Sequence, residues 1–159
     1  MNVGAAQRNK AMAIHGRMRF VASEDKPALE TATLRGQEHL IIPCVMLVEG
    51  VLLSSNATNP ALALASEFGL SYPSWDGRPV VFNHPKDEQG EPIYANRPEA
   101  WDNEVIGQLF NTDVDDNELQ SFVWLDLSRA PEALINGIKE GKEYEVSTGL
   151  FATAEVLAA

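Results

Sequence analysis

The clearest alternation of apolar and polar positions lies in the second half of the chain. Over residues 119–127, Leu119, Ser121, Val123 and Leu125 alternate with Gln120, Phe122, Trp124 and Asp126. A period of two is that of a strand whose faces meet different surroundings. Residues 104–110 hold an apolar set interrupted by Gly107 and predict a second strand. In KEYEVSTGL the same period puts Tyr144, Val146 and Thr148 on one face and Glu145, Ser147 and Gly149 on the other. Further strands are predicted over residues 12–22 and 29–34, separated by the polar turn SEDKP, with a turn around Arg35 and Gly36. Residues 78–82 read as a strand between Asp76-Gly77 and His84-Pro85. Residues 44–53 are too short an apolar run for periodicity to separate strand from helix.

Two segments carry helical signals. After a break at Asn56, Asn59 and Pro60, the run ALALASEF favours a helix through alanine and leucine propensity, with Gly69 stopping it in a left-handed conformation. Pro131 suits a first helical turn, PEALINGIKE carries an apolar stripe at Leu134, Ile135 and Ile138, and Gly141 ends it. The sum is a mainly β chain with flanking helices, of the α+β class. No fixed-period repeat or low-complexity linker divides it. Residues 1–11 read as a flexible N-terminal segment and residues 12–159 as one domain.

Composition narrows the function classes. With 159 residues, 45% apolar and 22% charged, the chain can bury a sizeable core. A net charge of -11 and scattered basic residues argue against nucleic acid as a partner. Asp113, Asp115, Asp116 and Glu118 read as a solvated turn, because the full calcium-loop pattern is missing. Cys44 is the single cysteine, so no intrachain disulfide forms. The most apolar stretch, residues 40–53, contains Pro43, Glu49 and Gly50 and is too short for a membrane span, so no membrane partner is expected. His15, His39, His84 and Cys44 make no close-spaced metal motif, and no glycine-rich nucleotide loop is present. Neither metal nor organic cofactor is expected. Trp75, Trp101 and Trp124 read as core or boundary residues.

The candidate chemistry rests on His84 in GRPVVFNHP and Ser147 in YEVSTGL. A serine hydroxyl holds its proton at neutral pH, so attack on a peptide bond needs a base within reach. His84 follows a predicted strand and precedes Pro85, where the backbone can hold a ring at the strand's end. Each residue also has a plainer role: His84 in turn-stabilising hydrogen bonds, Ser147 in a local strand bond. His15 and His39 read as structural or surface histidines, and Gly149 either gives the backbone room near a substrate or simply packs the strand.

In their order along the chain, GRPVVFNHP, EVIGQLFNTDVDDNELQSFVWLDL and EGKEYEVSTGL resemble the phage prohead maturation proteases and an associated group of phage domains of undefined function. That family is related in fold to the herpesvirus assemblin serine proteases. The resemblance spans residues 12–159 and is sharpest over 77–85 and 143–151. It implies a β-barrel flanked by helices, with the family histidine at His84 and the nucleophile at Ser147. Thr148 is a competing hydroxyl on the opposite strand face. The implied activity is cleavage of scaffold and capsid peptide bonds inside an assembling prohead, in the bacterial host cytoplasm, without metal or cofactor. Phage scaffold or capsid proteins, and self-association, are the implied partners.

The family places a histidine or acidic orienter after the nucleophile. Here no histidine follows His84 and only Glu155 is acidic after Ser147; Asp126, at the end of the Trp124-containing strand, is the alternative candidate for the third catalytic residue, either could orient His84, and Asp126 also has the plainer reading of an exposed strand-end aspartate. A barrel incomplete at its C-terminus would also account for the gap. The competing expectation is a non-catalytic capsid-associated module that retains the protease-like fold.

Overall fold

The computed structural model describes residues 10–17, 29–52 and 60–152. Its centre is built from two tight hairpins. Strand β2 (Glu30–Leu34) turns into β3 (Gln37–Val48) through Arg35 and Gly36, whose φ values of 51° and 79° are both left-handed. A two-residue loop of that hand matches the natural twist of the flanking strands. Strands β7 (Val105–Asp115) and β8 (Glu118–Asp126) are likewise joined by two residues, Asp116 and Asn117, and Asp116 has φ 51°. The acidic segment is therefore this hairpin turn and the strand ends beside it.

β3 and β8 pair from His39 opposite Asp126 to Val48 opposite Glu118, and this ladder joins the two hairpins. The whole sheet is antiparallel and seven-stranded, in the order β6 (Pro79–Val81), β7, β8, β3, β1 (Lys10–Arg17), β9 (Glu145–Ala152), with β2 also on β3. Pro43 lies within β3, opposite Phe122 of β8.

The sheet is open, which corrects the expected barrel. Among the described residues no ladder joins β6 to β9. β6 is three residues long and starts with a proline, a composition that suits an edge strand better than a closing one. The α+β class holds. β1 begins at Lys10, so the last two residues of the expected N-terminal segment belong to the sheet, while residues 1–9 lie outside the described ones. The SEDKP turn, Asn56 and Asn59 also lie outside them.

Alternation along β3 and β8 buries Leu40, Ile42, Cys44 and Met46 against Leu119, Val123 and Leu125. Helix α3 (Glu132–Lys139) covers this face with Leu134, Ile135 and Ile138, the stripe read from the sequence. Its end is closed as expected by Gly141, at φ 82°. The Gly141 N–H donates to Ile138 O and the Lys142 N–H donates to Gly137 O, each at 2.9 Å. Burial pushes the Cys44 thiol up to about 12, so it packs as a small apolar side chain. Among the described residues no helix is long and apolar enough to cross a membrane.

The run ALALASEF does not form the expected helix. Ala61–Ala63 is strand β5, paired with β4 (Gly50–Leu52), and only Ala65–Phe68 is helical, as α1. Pairing with β4 outweighs the weak alanine preference, and Glu49 Oε2 accepts the Ala65 N–H at 2.8 Å where the helix begins. Gly69 stays right-handed at φ −63° rather than left-handed. The remaining helix, α2 (Pro98–Asn103), leads into β7.

Gly107 marks the closest approach of β7 to β8. A Cβ built there would overlap the backbone carbonyl oxygen of Trp124 and lie 3.2 Å from Leu125 Cα. The obstruction is main chain, which moves only by parting two central strands. Gly107→Ala is expected to destabilise the fold by about 1–3 kcal/mol, read as a lowered urea midpoint; an unchanged midpoint would refute this account of the β7–β8 contact.

Candidate active site

His84 is delivered by the edge of the sheet. The β6 edge is anchored beyond its three residues: Gly77 N–H donates to Leu109 O at 2.7 Å, Leu109 N–H donates to Arg78 O at 3.0 Å, and Asp76 Oδ1 accepts the Thr112 N–H at 2.9 Å. This last contact falls where the β7–β8 register shifts, between Phe110 and Asp113. Buried Ser121 satisfies the same irregularity, bonding to Thr112 Oγ1 at 3.0 Å and Phe110 O at 3.1 Å. After Val81 the chain bends at Phe82 and Asn83 and reaches His84.

The segment after His84 is also tied. Pro85 is buried and its carbonyl accepts the Ile93 N–H at 3.0 Å. The predicted DEQGEP turn is closed by Asp87, whose Oδ1 accepts the Gln89 N–H at 3.0 Å and the Glu91 N–H at 2.8 Å. Proline also biases the residue before it toward extended backbone. An exposed ring is thus held on a short segment fixed at both ends.

Ser147 comes from β9, the strand at the other end of the sheet order. The approach to β9 is set by α3: a Cβ on the buried Gly137 would overlap the Tyr144 hydroxyl, so the absence of a side chain at Gly137 lets Tyr144 lie against the helix. Three residues later the strand alternation separates the two hydroxyls as expected. Thr148 is buried and its Oγ1 donates to Met46 O at 3.4 Å. Ser147 is half-buried on the other face, and its Oγ lies 3.0 Å from His84 Nε2.

That distance is within reach of a direct proton transfer. When the proton of the neutral ring is on Nδ1, Nε2 accepts the hydrogen bond from the Ser147 hydroxyl and can receive its proton. His84 is exposed, leaving the pair open to a substrate from solvent.

Asp126 does not join this pair among the described residues, contrary to expectation. It stands at the end of β8, opposite His39, where Oδ1 accepts the Ser128 N–H at 2.8 Å and the Ser128 hydroxyl at 2.6 Å. Partial burial alone would raise its pKa, but the two Ser128 bonds and the nearby His39 and Arg129 charges together hold it below the usual carboxylate value. It lines a separate open cavity of about 180 Å³ with His39, Gln108, Trp101 and Arg129. The strand end places Asp126 in a local turn with Ser128, which occupies its oxygen without reference to His84. His39 is buried, with Nδ1 3.0 Å from Gln37 O, in keeping with its structural reading. Glu155 lies outside the described residues.

His15, read from the sequence as a structural or surface histidine, stands close to Ser147 in the strand register. β1 and β9 pair antiparallel from Lys10 opposite Ala152 to Arg17 opposite Glu145, and in this register His15 stands directly across from Ser147. No signal in a single sequence announces a pairing between segments so far apart, and His15 itself lies in an unremarkable stretch.

The separation of Asp126 from His84 has a direct check. Ser128→Ala removes one of the two bonds that lower the Asp126 pKa and should move its titration upward in a carboxyl NMR experiment, whereas His84→Ala should leave it in place. Because the folded value is depressed, the stabilisation linked to Asp126 is present above its unfolded value and is lost as pH falls through the folded one. A shift in the His84 variant would instead put Asp126 against that ring. No family model matches the chain, and neither the curated proteins nor the solved structures include a significant match to it.

Proposed function

We propose that this chain is a serine endopeptidase-like phage maturation protein that cleaves scaffold or capsid peptide bonds during prohead assembly, with Ser147 as nucleophile and His84 as general base. The observation that supports the reading is the 3.0 Å approach of His84 Nε2 to Ser147 Oγ. A base touching a nucleophile is the arrangement that serine acyl transfer requires.

In the proposed reaction Ser147 Oγ adds to the substrate carbonyl carbon while His84 Nε2 takes the hydroxyl proton. The tetrahedral intermediate collapses as His84 returns that proton to the leaving amine, so the C–N bond breaks and an ester to Ser147 forms. Water then adds to the ester with His84 again accepting a proton, and the acid product departs with the serine hydroxyl restored.

A second reading is favoured by the open sheet and the exposed position of the pair: a non-catalytic capsid-associated module that keeps the protease-like arrangement. Acylation of the purified chain by a fluorophosphonate probe, together with cleavage of co-expressed phage scaffold protein, separates the two. Under the peptidase reading the wild type is labelled and cleaves. Ser147→Ala abolishes both, and His84→Ala slows them by roughly 10²–10⁴-fold. Cleavage that survives Ser147→Ala sinks the nucleophile assignment; a well-folded wild type that binds scaffold protein without labelling or cleaving it supports the structural module.

A further inference from the structure

The segment that delivers His84 also carries an aromatic side chain that the fold does not bury. Phe82 stands two residues before His84, so their Cα atoms lie no more than about 7.6 Å apart, and Phe82 is 53% exposed. The segment is held by the β6–β7 pairing on one side and by buried Pro85 on the other, and neither hold draws the Phe82 ring into the core.

The return segment brings a second aromatic residue to the same place. Lys86 pairs antiparallel with Pro92, framed by the bonds from Asp87 N–H to Glu91 O at 2.9 Å and from Ile93 N–H to Pro85 O at 3.0 Å. Tyr94 and His84 are each one residue from that last bond, and continuing the pairing past it brings Tyr94 level with His84. Tyr94 is 46% exposed. His84 is therefore flanked along the chain by Phe82 and across the pairing by Tyr94.

Single exposed apolar residues are ordinary on protein surfaces. Two aromatic residues on the short tied segments around a histidine that bonds to a serine hydroxyl are placed where a peptide lying across Ser147 must pass. A large apolar side chain of that peptide, laid over them, removes apolar surface of both partners from water. A small or charged side chain gains little there.

We propose that Phe82 and Tyr94 are specificity-determining residues that receive a bulky apolar side chain, aliphatic or aromatic, next to the scissile bond of the substrate peptide. This rests on the proposed peptidase reading and adds to it the class of peptide that the site selects.

The test uses the full chain and a set of peptidyl diphenyl phosphonates, which phosphonylate a reactive serine and here differ only in the side chain beside the phosphorus: that of alanine, leucine, phenylalanine or aspartate. A small fluorophosphonate with no side chain reports whether Ser147 reacts at all. In the wild type the leucine and phenylalanine probes should react on the order of 10- to 10²-fold faster than the alanine probe, with the aspartate probe slowest. Phe82→Ala should lower the leucine-to-alanine ratio on the order of tenfold. Tyr94→Ala should lower it as well, while Phe82→Leu and Tyr94→Phe, which keep the apolar surface, should retain most of it. The readout is a ratio between probes on one protein, so a loss of folded material slows all of them together and does not imitate the expected result. A wild type that the fluorophosphonate labels, but that reacts with the leucine and alanine probes at equal rates, overturns this proposal and leaves the peptidase reading standing. A ratio that survives both alanine substitutions does the same. A wild type that none of the probes labels overturns the peptidase reading and this inference with it.

Discussion

The ladder between β3 and β8 is the constraint on which the rest of the molecule depends. It joins two local hairpins, each of which closes with a two-residue loop and needs little chain entropy to form. Once their facing strands are in register, Leu40, Ile42, Leu119, Val123 and Leu125 share one face and α3 has a surface to cover. The elements that reach the site are then appended at the two sides: β6 on β7, and β1 with β9 beyond β3. Loss of the central register would separate His84 from Ser147 even though neither belongs to it.

The site bridges what the ladders leave apart. β6 and β9 are the two ends of the sheet order, yet the residue three past β6 bonds to a side chain of β9. The sheet must curl far enough to bring its ends together without exchanging backbone bonds. Among the described residues the edge strands stay unpaired with one another, and the short, proline-started β6 suits such an edge. The same openness leaves His84 exposed to water.

Much of the fold was legible because its signals are local. The alternation at 119–125 identified β8, Arg35-Gly36 marked the β2–β3 turn, and Pro131, the Leu134-Ile135-Ile138 stripe and Gly141 outlined α3. The failures have physical reasons. ALALASEF is helical by propensity, but its first half pairs with β4, and a tertiary contact of that kind is invisible in a short window. Asp126 enters as a candidate orienter for want of a histidine after His84, and its plainer reading as a strand-end aspartate matches the Ser128 bond two residues on. The pair His84 and Ser147 was named from motif order rather than from any calculable proximity. The register that sets His15 opposite Ser147 is not legible there, because pairing between the first and last strands is a property of the assembled sheet.

Register also decides which hydroxyl can react. Ser147 and Thr148 are adjacent, and a strand gives each face only alternate residues. Thr148 is committed inward by its burial and its bond to Met46 O, while Val146, on the same face, packs against the core. A one-residue slip of β9 against β1 would carry Val146 and Thr148 out of the core and Ser147 into it. The apolar face of β9 therefore fixes the orientation of Ser147 indirectly: the cost of exposing Val146 and burying Glu145 and Ser147 holds Ser147 on the side that His84 reaches, and in that same register His15 stands opposite it on β1. That it is Ser147 and not Thr148 that stands beside His84 is thus a consequence of core packing.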